Sequence, residues 1–176
     1  MPNNTFNETL NYLNDVYRSA YYLTHNNNEA EELVQEVYLK AYATWDQFEP
    51  GTNSKVWIFK ILYNTHINRL KRKGQDPSVL SPGKPDALPV TISNPPTELK
   101  KIVEELVEGE IDKAMKNMPA EYTDTLILAW LGNFSDAEIV GILDCPIGTV
   151  MSRLSMARLL LRNNLNEYWE EKHHGH

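Results

Sequence analysis

One cysteine, Cys145, stands in the chain of 176 residues. A lone thiol excludes an internal disulfide, and it makes no zinc site without several histidines beside it. His25, His173, His174 and His176 lie at a turn or in the tail. The segment Lys172-His173-His174-Gly175-His176 reads as a frayed terminus, so no metal site and no cofactor are expected. No run of about 18 apolar residues occurs, and membrane insertion is not expected. Met1-Pro2-Asn3-Asn4-Thr5-Phe6 lacks a basic stretch followed by an apolar one. No secretory signal is therefore expected, and the chain is placed in the cytoplasm. Strand patterns and internal repeats are missing too. No catalytic triad, paired carboxylates, phosphate-cradling glycine loop or metal-ligand spacing stands out. The chain is accordingly not read as an enzyme, and no small-molecule substrate is expected.

A basic excess is also lacking. The net charge of −7 argues against a chain that neutralises phosphates over its whole surface. The sum hides a gradient. Residues 1–75 carry eight Lys/Arg and eight Asp/Glu, 76–109 carry three against six, and 110–176 carry six against ten. Any nucleic-acid surface must be local, and the N-terminal half is the better place for it.

What the chain has is helical periodicity. Over 7–24, Leu10, Leu13, Tyr17, Ala20, Tyr21 and Leu23 form one apolar stripe. His25-Asn26-Asn27-Asn28 is a turn, with Asn28 placed to cap a helix over 29–45 that turns Ala30, Leu33, Val34, Val37, Tyr38, Ala41 and Trp45 inward. Asp46 to Ser54 reads as a loop around Pro50-Gly51. Ser54 or Asn53 caps a third helix, 55–73. Its apolar side holds Val56, Phe59, Ile61 or Ile58, Leu62, Ile67 and Leu70, and it stops at Gly74 after four cations. Residues 75–97 hold six of the ten prolines, which predicts an extended linker. Helices resume over 98–117, 120–131, 136–143 and 147–168.

Two constellations carry function. The first is C-terminal: a short helix capped by Ser135, the turn Asp144-Cys145-Pro146, and a longer helix, which together make a helix-turn-helix pattern. Pro146 suits the first helical position of that longer helix. Ala137, Ile139, Val140 and Ile142 or Leu143 pack the first helix; Val150, Leu154 and Ala157 pack the second. Thr149, Ser152, Arg153 and Ser155 are expected to face outward toward DNA. Many helical hairpins share this spacing, so DNA binding and plain packing both fit it. The second is the third helix of the N-terminal half. It mixes Trp57, Tyr63 and His66 with Lys55, Lys60, Arg69, Lys71, Arg72 and Lys73. Aromatic faces stack on unpaired bases while cations hold the backbone. From the residues alone, a buried aromatic core with a basic end that complements the helix dipole is the preferred reading.

A family resemblance bears on that choice. Glu29-Ala30-Glu31-Glu32-Leu33-Val34-Gln35-Glu36-Val37-Tyr38 resembles the segment by which sigma factors hold the clamp helices of RNA polymerase. Val56-Trp57-Ile58-Phe59-Lys60-Ile61-Leu62-Tyr63-Asn64, with Asn68-Arg69-Leu70-Lys71-Arg72, resembles the promoter-melting helix. Met118-Pro119-Ala120-Glu121-Tyr122 and Phe134-Ser135-Asp136-Ala137-Glu138-Ile139 resemble the opening of the C-terminal sigma domain. Cys145 to Arg158 resembles its recognition helix. In this order they resemble the minimal sigma factors of the extracytoplasmic-function group.

The resemblance implies an all-α fold of two small helical domains. A region 2-like domain would span 1–74, the linker 75–97, a region 4-like helix-turn-helix domain 98–170 and a tail 171–176. It implies an alternative sigma factor that binds core RNA polymerase, at the β′ clamp helices and the β flap, and directs promoter recognition. Glu32, Gln35, Glu36 and Leu39 would hold polymerase. Phe48, Asn53, Lys55, Trp57, Lys60, Tyr63, Asn64, Arg69, Lys71 and Arg72 would bind and open the upstream-of-start element, with loop 46–54 cradling a flipped base. Thr149, Met151, Ser152, Arg153, Ser155, Met156 and Arg158 would read the farther element. The acidic linker would lie in a basic channel of the polymerase. An anti-sigma factor is implied as a further partner. The recognition helix departs from the family, because Met151, Met156 and Leu159 stand where cations are usual. Each lost cation weakens phosphate contact, and methionine cannot bind guanine bidentately. A sigma-like mimic that binds an anti-sigma factor or polymerase without productive promoter recognition is therefore the alternative.

Overall fold

A computed structural model describes the backbone of residues 2–74 and 108–174, and the side chains of 6–74 and 110–166. Among the described residues every regular element is a helix. The proposed linker 75–97 and the start of the helix expected over 98–117 lie outside them.

The N-terminal half opens with α1 (Pro2–Thr9), a short 3-10 turn (Leu10–Tyr12) and α2 (Leu13–Thr24). One continuous helix was the expectation for 7–24. The Thr9 hydroxyl instead donates to the Phe6 carbonyl at 2.6 Å, a back-bond that bends helices. The apolar stripe is also rotated. Val16, Ala20 and Tyr22 are buried, while Leu10 and Leu13 are exposed. Tertiary packing decides this, since Val16 and Ala20 join one core cluster and Tyr22 another.

Helix α2 stops at His25, which takes a left-handed conformation (φ 53°). Asn26, not Asn28, then caps α3 (Asn27–Ala43) by accepting from the Glu29 amide at 3.0 Å. The expected inner face of α3 is buried at Ala30, Leu33, Val34, Val37 and Ala41. A second 3-10 turn (Trp45–Gln47) and a loop lead to α4 (Ser54–Arg72), capped by Asn53. Ile58 rather than Ile61 is buried there, beside Phe59, Leu62, Tyr63, Thr65 and His66.

The C-terminal half holds α5 (Glu108–Lys116), α6 (Ala120–Trp130), α7 (Asp136–Leu143) and α8 (Ile147–His174). The backbone of 171–174, expected as tail, continues α8. Ser135 and Glu138 form a reciprocal capping box at the start of α7. Asp144, left-handed at φ 54°, ends it. The chain turns through 106° between α7 and α8, inside the range of about 90–120° for helix-turn-helix pairs. Pro146 accepts the first α8 bond, from the Val150 amide, so it precedes the first helical position. Ala137, expected in the packing of α7, is exposed; Ile139 and Ile142 carry that packing.

Helix α6 is buried on every side, from Tyr122 through Leu128. A helix buried all round sits inside a core. Leu126 and Ile127 pack with Ala157 and Leu161 of α8, while Leu128 joins Val16, Ala20, Phe59 and Leu62 of the N-terminal half. The two halves therefore meet on α6 and α7 through shared core.

Candidate nucleic-acid interface

The expected polymerase-binding and DNA-binding groups meet along α3 and α4. Glu32, Gln35 and Leu39 are exposed on α3, and Leu39 and Tyr42 are each 71% exposed. Glu36 is held by three cations: Lys40 at 3.4 Å, Arg69 at 3.5 Å and Arg72 at 3.3 Å. Arg69 also reaches Glu32 at 3.2 Å, and Lys73 reaches Glu29 at 3.0 Å. The acids expected to grip polymerase and the cations expected to grip phosphate thus neutralise one another within the chain. Such partly exposed pairs are weak and exchange readily for other partners.

Between these helices lies a cavity of about 180 Å³ bounded by Leu33, His66, Arg69 and Lys73. Burial, with Arg69 and then Lys73 adding repulsion, pushes His66 down to about 4. His66 is therefore neutral near pH 7 and acts as core.

The start of α4 differs from the expectation. Phe48 is buried, stacked on Trp45 at 4.8 Å and edge-on to Trp57 at 5.3 Å. The aromatic groups expected to meet bases are packed on each other, because mutual burial satisfies large apolar rings. Tyr63 is buried, and its hydroxyl donates to the Asp124 carbonyl at 3.0 Å. Burial, then Asp124, raises its pKa far above the usual phenol range. Asn53 donates to Glu138 at 2.9 Å. Lys55 donates to the Gly132 carbonyl at 2.7 Å, lies 3.4 Å from Asp15 and faces the Phe134 ring at 5.2 Å. Lys60, Asn64, Lys71 and Arg72 remain exposed, as a binding edge requires.

The expected orientation of α8 is corrected more strongly. Thr149, Arg153 and Ser155 were expected to face outward and are all buried. The packed stripe of α8 is wider than its apolar residues alone. Ser155 satisfies its hydroxyl on the Met151 carbonyl at 2.9 Å, which allows it inside. Arg153 lies near the buried Asp124, whose carboxyl burial pushes up to about 8 while the Arg153 charge opposes the rise. Ser152, Met156 and Arg158 are half-buried, and Ile147, Met151 and Leu159 are exposed.

The comparisons with known proteins bear on both halves. The family model described as Sigma-70 region 2 matches residues 10–75. The chain is 31% identical to the ECF RNA polymerase sigma factor EcfG of Rhodopseudomonas palustris, over 77% of this chain and 71% of that one. The chain belongs to the extracytoplasmic-function (ECF) sigma factors. This sigma factor is also 29% identical to SigE of Mycolicibacterium smegmatis, over 89% of its own length and 59% of SigE. In structure it resembles the sigma factor RpoE of Bartonella quintana, solved in complex with the anti-sigma factor NepR. The TM-score is 0.71 at 30% identity, covering 91% of this chain and 95% of that one.

Sequence reasoning missed Asp15, Asp124, Gly132, Phe134 and Glu138 as partners of the candidate site. All but Asp15 lie in the other half, so no local pattern marks them.

Proposed function

We propose that this sigma factor binds core RNA polymerase and directs promoter recognition and transcription initiation. The observation that carries the reading is the exposed ridge of α3. Leu39 and Tyr42 stand one turn apart in solvent beside the acids Glu32 and Glu36. Large apolar side chains exposed next to charge mark a surface that a partner covers. That partner would be the β′ clamp helices. The edge of Lys60, Asn64, Lys71 and Arg72 would then face the displaced promoter strand, and α7–α8 would reach the farther promoter element and the β flap. The domain division, 1–74 and 98–170 around a linker, belongs to the same proposal, as does a cytoplasmic site of action and control by an anti-sigma factor.

The test is gel filtration with core polymerase, followed by run-off transcription on a genomic promoter library. Glu36→Ala and Leu39→Ala are expected to weaken core binding at least about tenfold while changing stability by under about 1 kcal/mol. Unchanged core binding by both variants would count against the ridge.

A second reading rests on α8, where Ile147, Met151 and Leu159 present apolar groups. Core binding with no transcript on any promoter would favour the mimic.

A further inference from the structure

The end of α2, the first turn of α3 and the end of α4 enclose the cavity of about 180 Å³. Leu23, Glu29, His66, Arg69, Leu70 and Lys73 line it. Positions 66, 69, 70 and 73 follow helical spacing, so one face of α4 supplies most of the wall.

His66 is 7% exposed, yet none of the described residues hydrogen-bonds its ring. Among the described residues, the side-chain atom sealed from water without a partner is Ser19 Oγ, not a His66 nitrogen. The polar edge of the ring therefore opens onto the cavity. Buried polar groups are nearly always satisfied, and this imidazole has its vacant place where a ligand atom can reach it.

Arg69 and Lys73 set two positive charges against the one carboxylate of Glu29. Burial, and then those two cations, push His66 down to about 4, so near pH 7 the ring is a neutral donor beside net positive charge. Lys73 meets Glu29 at 3.0 Å, and these side chains are 51% and 42% exposed. An ion pair so exposed is weak and yields to a stronger anion. Arg69 turns N–H groups to the Glu29 carbonyl, Glu32 and Glu36, which leaves part of its five-donor fork. A metal ion fits poorly. His66 and Glu29 supply two ligands, and no group of three His, Cys, Asp or Glu able to hold one occurs among the described residues.

We propose that this cavity binds a small organic phosphate monoester as a free ligand, a role separate from promoter contact. Imidazole, guanidinium and ammonium reach in from different positions along α4, which suits the several oxygens of a phosphate; a planar carboxylate needs the arginine fork alone. Leu23 and Leu70 give the body of the ligand an apolar wall. A cavity of about 150 Å³ holds benzene, whereas drug-sized ligands need about 300 Å³ or more. The body is therefore close to one ring in size, and a whole nucleotide is too large.

The probe is phenyl phosphate, titrated into the full chain near pH 7. The His66 ring resonances report on the site by NMR, and calorimetry gives the affinity. Inorganic phosphate tests the contribution of the ligand's ring. Methyl phenyl phosphate, a diester of single charge, stands for a nucleic-acid linkage. The variants are Lys73→Ala, His66→Phe and Lys71→Ala, with folding followed by circular dichroism. Lys73 is exposed, so its truncation spares the core. His66→Phe keeps a ring and removes both nitrogens. Lys71 is an exposed cation of the same helix end that does not line the cavity. Arg69 stays unaltered because it is also expected at the promoter edge.

Saturable movement of the His66 resonances is expected. Phenyl phosphate should bind at least about fivefold more tightly than inorganic phosphate, through its apolar body, and than the diester, through its second charge. Lys73→Ala and His66→Phe should each weaken it at least about fivefold, and Lys71→Ala less than about twofold. Unmoved His66 resonances would overturn the site. Equal binding of the diester would assign the cavity to a nucleic-acid strand and overturn the free ligand. Equal binding of inorganic phosphate would overturn the organic body. Equal losses in Lys71→Ala and Lys73→Ala would reduce the effect to diffuse charge and overturn the cavity as its seat. None of these readouts involves polymerase, so the initiation-factor reading stands or falls separately.

Discussion

The Tyr63 hydroxyl donates to the backbone carbonyl of Asp124 across 3.0 Å, joining the helix expected to melt promoters to the central helix of the other half. Both residues are buried, and 61 positions separate them in sequence. Tyr63→Phe keeps the ring and removes only this donor. Urea unfolding is expected to show a loss of about 1 kcal/mol, the net value of a buried neutral hydrogen bond. Base stacking needs only the ring, so promoter affinity should not fall; a fall of about tenfold would assign the hydroxyl to DNA instead.

Asp124 and His66 set opposite edges of a pH window. Burial raises the Asp124 carboxyl from 3.8 to about 8. The folded chain holds that proton more tightly than the unfolded one. The stability it contributes is fully present below 3.8 and is lost as pH rises through about 8. Burial lowers His66 from 6.5 to about 4, so its contribution is present above 6.5 and is lost as pH falls through about 4. Denaturant midpoints taken across pH should therefore show Asp124→Asn removing the alkaline decline and His66→Asn the acid one. Unchanged slopes in both variants would refute the assignment.

Gly132 has no room for a side chain. A Cβ there would meet the Phe134 ring at 2.5 Å and the Leu128 carbonyl at 2.9 Å. Phe134 is itself buried against Phe59, so the ring has little room to yield. Gly132→Ala is expected to cost about 1–3 kcal/mol in thermal or urea unfolding, the usual cost of overpacking. It should also raise the reactivity of the Lys55 amine toward an amine-specific reagent, read by mass spectrometry, since Lys55 donates to the Gly132 carbonyl.

Met151 is 54% exposed on the outer face of α8. Met151→Lys adds a cation there without disturbing the core. On a promoter read by this helix, the slope of log affinity against log salt should steepen by about one. An unchanged slope would place this face away from phosphate and favour a protein partner for it.

Local sequence determined most of the helices. The period of Ala30, Leu33, Val34, Val37 and Ala41 appears unchanged as the buried face of α3. The Ser135 cap and the turn before α8 are equally legible, because caps, left-handed stops and amphipathic stripes involve residues within about one helical turn. Membership of the ECF sigma factors was legible too, from motifs that each occupy one short segment.

Tertiary structure decided what each face of a helix meets. Periodicity gives the width of an apolar stripe only when a helix has one packing partner. Helix α6 has partners on all sides, so Thr123, Asp124 and Thr125 are buried despite their polarity. Thr149 and Arg153 are turned inward on α8 by the same crowding. The partners that Lys55, Asn53 and Tyr63 find in the other half lie 61 to 85 positions away. Hydrogen-bond donors carry no sequence mark of the acceptor they will find, so only the packing of the two halves against each other names it.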